Sequence, residues 1–129
     1  MKFLLTFMAA GLLTAVSPAA DEPAQDKPVT IEQAETQLSK GAQLLDVRTK
    51  EEWDEGHLEG ATRVSIAEKE FVEKVKKTMD PKKPLLVYCR SGGRSERAAK
   101  QLREAGFVTV FDLDGGITAW KKAGKPVVK

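Results

Sequence analysis

The residues best placed to do chemistry lie in one stretch, Leu85-Leu86-Val87-Tyr88-Cys89-Arg90-Ser91-Gly92-Gly93-Arg94-Ser95-Glu96-Arg97. The only cysteine of the chain ends a continuous apolar run, two glycines follow, and a helical pattern begins directly after them. Glycines permit backbone conformations that aim several N–H groups inward as an anion-binding nest. A helix N-terminus adds roughly half a positive charge at the same place. Arg90, Arg94 and Arg97 add three full charges nearby in sequence. The thiolate is the reactive form of cysteine, and each of these features favours thiolate over thiol. The same features would hold an anionic substrate beside it. The competing reading is plain: a lone cysteine after an apolar strand is commonly an inert core residue, and Gly-Gly can be a turn and nothing more. The coincidence of strand, glycine turn and arginines around one thiol favours a reactive site.

His57, the single histidine, lies in the turn-like Glu55-Gly56-His57-Leu58-Glu59-Gly60. It is either a general base for Cys89 or a loop residue with a structural bond, and the nest could activate the thiol without it. One Cys excludes an internal disulfide framework, and one His with one Cys leaves too few soft ligands for a usual structural zinc site. A thiol redox role lacks both the C-x-x-C pattern and a second cysteine to resolve a disulfide. Net charge is +2 in 129 residues, which argues against a nucleic-acid footprint. No cofactor-binding motif is present, so neither a metal nor an organic cofactor is expected. At 41% hydrophobic and 31% charged residues, the composition is that of one globular domain.

The elements that must position the loop alternate along the chain. Thr30-Ile31-Glu32-Gln33 reads as a capping box opening a helix over Ile31 to Ser39. Ala42 to Val47 reads as a strand, and Thr49-Lys50-Glu51-Glu52 as a second capping box before a brief helix ended by Gly56. Thr62 to Ile66 is a further strand candidate. Ser65-Ile66-Ala67-Glu68 reads as a third box, ahead of Phe71, Val72, Val75 and Met79 at helical spacing. Leu85 to Tyr88 has the unbroken apolar pattern of a strand buried on both faces. A helix over Ser95 to Ala105, a strand over Phe107 to Leu113 and a helix over Ile117 to Ala123 follow. This alternation predicts an α/β fold, an open, mostly parallel sheet with helices on both faces. Ligands of such sheets bind beyond the C-terminal ends of the strands, where Cys89 falls.

The first residues follow another logic. Met1-Lys2, the apolar run Phe3 to Val16 and then Ser17-Pro18-Ala19 have the layout of a secretory signal peptide. The run is shorter than the ~20 apolar residues of a membrane span. Residues 1–19 are therefore expected to be removed on export to a periplasmic or secreted location, with no membrane attachment afterwards. Residues 20–28 read as a flexible linker, and 29–128 as the domain.

Three stretches resemble the rhodanese family, in that family's order. They are Asp46-Val47-Arg48 with Glu52-Trp53 and Gly56-His57-Leu58-Glu59-Gly60-Ala61; Cys89 through Ser95; and Leu113-Asp114-Gly115-Gly116-Ile117 with Trp120, Gly124 and Pro126. The resemblance implies a rhodanese-like fold with Cys89 as nucleophile. It makes Arg90, Ser91, Gly92, Gly93, Arg94 and Ser95 the substrate-holding loop. Asp46, Arg48 and Glu52 read as a structural polar cluster, and Trp53 and Trp120 as packing residues. The implied activity is thiosulfate sulfurtransfer to cyanide or a thiol through a Cys89 persulfide, with a persulfide carrier or docking module as the alternative. Thiol-based phosphatases resemble C-x5-R instead. Here Ser95 stands at the sixth position after Cys89 and Arg94 at the fifth, a tighter loop than theirs.

Overall fold

Leu85–Tyr88 is buried along its whole length because a strand lies on either side and helices cover both faces. The computed structural model of the chain describes residues 22–129. The expected signal segment, residues 1–19, and the first two residues of the expected linker lie outside them. The described elements alternate: α1 (Ile31–Ser39), β1 (Gln43–Asp46), α2 (Lys50–Glu55), β2 (Thr62–Arg63), α3 (Phe71–Thr78), β3 (Leu85–Tyr88), α4 (Gly93–Glu104), β4 (Val110–Asp112) and α5 (Gly116–Lys122). The four strands form one sheet in the order β2-β1-β3-β4, and every pairing is parallel. The α/β class and the helix-covered parallel sheet expected from the alternation are what the chain adopts.

Alternate strand residues point to opposite faces, and this divides the core in two. Leu45, Leu85, Val87, Cys89 and Val110 pack on one side with Phe71 and Val75 of α3 and with Ala98, Ala99 and Leu102 of α4. Leu44, Leu86, Tyr88 and Phe111 pack on the other with Ala34 of α1 and with Ile117 and Trp120 of α5. Register places Asp46 beside Tyr88 and Val87 beside Asp112. Two carboxylates and the start of the cysteine loop are thus brought to the C-terminal edge of adjacent strands.

Two of the three expected capping boxes form. The Thr30 hydroxyl accepts from the Gln33 N–H while the Gln33 side chain accepts from the Thr30 N–H, and Thr49 and Glu52 repeat the exchange. The third does not form. Ser65 Oγ accepts from the Ala67 N–H in a local turn, and α3 starts later, after Glu70, whose φ of 60° is left-handed and whose side chain caps nothing. The hydroxyl is used two residues on, so the chain turns before a helix can propagate. The strands beginning at Thr62 and ending near Leu113 are also shorter than expected, at two and three residues.

Within the segment read as a linker, the Gln25 side-chain amide accepts from the Val110 N–H at 2.7 Å and donates to the Val108 carbonyl at 3.3 Å. It takes the place of a neighbouring strand on the free edge of β4. Val29 bridges Leu113 directly after it. Among the described residues no helix is long and apolar enough to cross a membrane.

Candidate active site

Cys89 is the first residue after β3, and the chain returns through Gly92 to enter α4. Gly92 caps that helix with φ of 127° and ψ of −26°. A side chain is strained in that conformation, and glycine is not. Gly93, by contrast, is already helical and faces open space, so only one of the two glycines is demanded by backbone geometry. The return path aims N–H groups at the sulfur: Gly92 N–H donates to Cys89 Sγ at 3.0 Å.

The loop is held from outside by α5. The N–H of Ile117 donates to the Cys89 carbonyl at 2.9 Å, and that of Thr118 to the Arg90 carbonyl at 3.1 Å. With these carbonyls turned outward, the following N–H groups turn in. Gly116 permits the approach, since a Cβ there would overlap the carbonyl oxygens of Cys89 and Arg90.

Cys89 is 1% exposed. Burial pushes its thiol pKa up, but hydrogen bonds from the Ser95 hydroxyl and N–H and from the Gly92 and Ser91 N–H groups outweigh burial and bring it below the ordinary value. The N-terminus of α4 acts in the same direction. Backbone N–H groups and Ser95 thus favour the thiolate, as expected from the glycine nest and the helix start. Arg90 and Arg97 are exposed. Arg94 is paired with Glu52, its two terminal nitrogens donating to the two carboxylate oxygens at 2.7 and 2.8 Å. Ser91 is exposed at the loop tip, while Ser95 is fully buried.

The cluster read from Asp46, Arg48 and Glu52 divides. Arg48 is only 3% exposed, and its Nε and Nη2 donate to the Asp46 carboxylate at 2.7–3.0 Å. Nη2 also donates to the Gly56 carbonyl at 2.8 Å. The guanidinium lies 5.5 Å from the Tyr88 ring centre. Burial and the Asp46 charge hold the Tyr88 phenol well above its usual value, so it stays protonated. Its oxygen accepts from the Leu58 N–H. The Glu52 carbonyl accepts from Arg48 Nη1 at 3.5 Å, while its side chain serves Thr49 and Arg94 instead. Trp120 packs in the core with its Nε1–H donating to the Pro126 carbonyl, and Trp53 stacks on His57 with ring centres 3.5 Å apart. His57 bonds to Trp53 and, through its backbone, to Val128. These are structural contacts, and none of them reaches Cys89.

One residue escaped the sequence reading. Asp112, at the end of β4, is 5% exposed and accepts a 2.5 Å hydrogen bond from Ser95 Oγ. The available signal was an acid inside the apolar run Phe107 to Leu113.

A cleft of about 530 Å³ lies beside the loop, lined by Arg48, Glu52, Glu55, Arg90, Ile117, Thr118 and Lys121. Arg90 and Lys121 offer it positive charge that no ion pair occupies among the described residues. Among those residues no group of three or more His, Cys, Asp or Glu is placed to hold a metal ion. The arrangement can stabilise a sulfur anion and accept a second anion next to it.

A single buried cysteine sulfur, met by N–H groups at a helix N-terminus beyond a parallel sheet, defines a cysteine-centred site suited to an anion. The rhodanese-like domain family matches residues 30–123, and the chain belongs to that family. Thiosulfate sulfurtransferase 18 of Arabidopsis thaliana is 37% identical over 110 residues, covering 77% of this chain and 81% of its own. The chloroplastic thiosulfate sulfurtransferase 16 of the same plant is 36% identical over 116 residues, covering 83% and 97%. Among solved structures, that of the Alr3790 protein from Anabaena superposes with a TM-score of 0.69 at 28% identity, covering 78% of this chain and 81% of that one.

Proposed function

We propose that this chain is an exported sulfurtransferase that moves a sulfane sulfur from thiosulfate or a similar donor to cyanide or a thiol. The observation that carries the reading is the Cys89 sulfur facing the N–H groups of Ser91, Gly92 and Ser95 at the start of α4, in a loop of six residues from Cys89 to Arg94. The Cys89 thiolate attacks the outer sulfur of thiosulfate. An Sγ–S bond forms, the S–S bond of the donor breaks, and sulfite leaves with its electron pair. The inward N–H groups then hold the terminal sulfur of the persulfide. Cyanide attacks that sulfur, forms thiocyanate and returns the electron pair to Sγ as thiolate. This is covalent catalysis in two steps with no cofactor. Arg90, exposed at the loop mouth and in no ion pair among the described residues, is suited to the sulfonate end of the donor. The thiosulfate sulfurtransferase relatives support this substrate class.

Intact mass with and without thiosulfate tests the reading. The wild type gains one sulfur atom and loses it to cyanide with turnover, and Cys89→Ser does neither, since a hydroxyl has too high a pKa to replace the thiol. Retained activity in the Ser variant would sink the assignment, and a mass gain with no turnover would point to a persulfide carrier. Export is part of the same proposal, supported by Lys2, the Phe3 to Val16 run and Ser17-Pro18-Ala19. Sequencing of the exported protein should start at Ala20 or within a residue or two of it. Retention of Met1 would reject export.

A further inference from the structure

We propose that Asp112 is a positioning residue for Cys89: through the Ser95 hydroxyl, its carboxyl decides whether that hydroxyl's one proton serves the thiolate or the carboxylate. The inference deepens the reading of Cys89 as the reactive thiol and rests on it.

The geometry is a buried chain of three groups. Ser95 is 0% exposed, its Oγ is 2.5 Å from Asp112 Oδ1, and a hydrogen bond from this hydroxyl leads the influences that lower the Cys89 thiol pKa. The Gly92 carbonyl, at 3.1 Å from Oγ, is a third acceptor. A serine hydroxyl has one proton to donate and two lone pairs to accept with. When Asp112 is ionised it takes that proton, and the thiolate keeps only its backbone donors. When Asp112 is protonated its own O–H donates to Ser95 Oγ, and the Ser95 proton is free for Sγ. Two buried anions therefore compete for one proton, and they titrate as a pair.

The surroundings place this competition in an accessible range. Burial pushes Asp112 up to about 6, with Glu96 and Asp114 acting the same way against the Ser95 hydrogen bond and the Arg103 charge. Asp26 and Lys27 line a cavity of about 190 Å³ that also touches Asp112, Glu96 and Arg103, so charges of both signs surround it from α4 and the N-terminal segment, and Asp114 in the turn before α5 adds a further negative charge acting on Asp112. The β3 residue beside Asp112 is Val87, which contributes no charge.

The test is the pH profile of Cys89 in the purified protein, read by thiolate ultraviolet absorbance and by iodoacetamide alkylation rate. Asp112→Asn should move the thiolate midpoint down by about half a pH unit or more, a roughly threefold or greater gain in alkylation rate below the midpoint. Ser95→Ala should move it up, and in that background Asp112→Asn should lose more than half of its effect. A profile unchanged in Asp112→Asn, or shifted equally with and without Ser95, would overturn the proposal. Should the Asn variant fail to fold, the Asp112 carboxyl titration by NMR decides. Because such coupling is reciprocal and the two groups titrate as a pair, the Asp112 carboxyl signal should carry a second step that follows the Cys89 titration in the wild type and is absent in Cys89→Ser, and a single step in both proteins rejects the coupling. None of these readouts uses sulfur transfer, so failure of the coupling is distinguishable from failure of the sulfurtransferase reading.

Discussion

Glu52 and Arg94, 42 residues apart, are joined by two hydrogen bonds of 2.7 and 2.8 Å. The same carboxylate closes the capping box of α2 by accepting from Thr49. One side chain thus ends a helix and ties it to the first turn of α4, which carries the cysteine loop. The guanidinium held by Glu52 is the one expected from the sequence to grip the donor. Its first partner is instead a carboxylate of the protein.

Glu52→Gln removes one charged acceptor and leaves Arg94 mobile. The pair is partly exposed, at 29% and 23%, so solvent screening keeps its contribution to stability below about 1 kcal/mol. The expected loss in kcat/KM is roughly three- to tenfold, and Arg94→Ala should lose ten- to a hundredfold. The two together should lose less than the product of the single effects, because they break one contact. The hydrogen bond from Arg94 leads in holding the Glu52 carboxyl down to about 2, from the usual 4.5. A depressed carboxyl stabilises the fold above its unfolded value and loses that contribution as pH falls towards its folded one. Acid denaturation should therefore be steeper between pH 4.5 and 2 in the wild type than in Glu52→Gln.

Gly116→Ala should damage both the fold and the loop. Its φ of 57° is left-handed, and the added Cβ would press on the Cys89 and Arg90 carbonyls, with Arg90 O only 2.6 Å away. Backbone strain and overpacking together are expected to cost about 2–4 kcal/mol. Thermal unfolding measures the first effect. The rate of persulfide formation in the folded fraction measures the second, and should fall even where the fold survives.

Asp112 gives a stability signature of opposite slope to Glu52. Its folded value of about 6 exceeds the unfolded 3.8, with burial the chief cause. Between those values the folded state binds more protons than the unfolded state, so stability falls as pH rises. The loss should reach on the order of 2–3 kcal/mol above pH 6. Asp112→Asn has no such slope, and denaturant titrations at pH 4, 6 and 8 would expose the difference.

Loop length separates sulfur from phosphoryl chemistry. Ser95 is buried against Asp112, at the position where the phosphatase pattern has arginine. The wild type should show no appreciable hydrolysis of aryl phosphates. Brisk Cys89-dependent phosphatase activity with weak sulfur transfer would reverse the functional reading.

Much of this protein was written locally. Leu85 to Tyr88 reads as a buried central strand because four apolar residues in a row suit a position covered on both faces. The helix N-termini at Ile31 and Lys50 are legible because a capping box closes within four residues. Cys89, Gly92 and the helix after them are contiguous, so the anion-holding loop is visible in one dimension. Ser65 shows the limit of that reading: the same residue pattern closes a turn, because a hydroxyl chooses between N–H groups two and three residues ahead.

The partners of the loop were decided only in three dimensions. Glu52 reaches Arg94 across 42 residues, and Ser95 reaches Asp112 across 17. The α5 N–H groups find the Cys89 and Arg90 carbonyls only once β3 and β4 lie side by side. The glycine turn, the helix start and their local spacing determine that N–H groups can favour a thiolate at residue 89. Which groups share its protons depends on strand register, because burial leaves each polar atom only the partners that packing brings within about 3 Å.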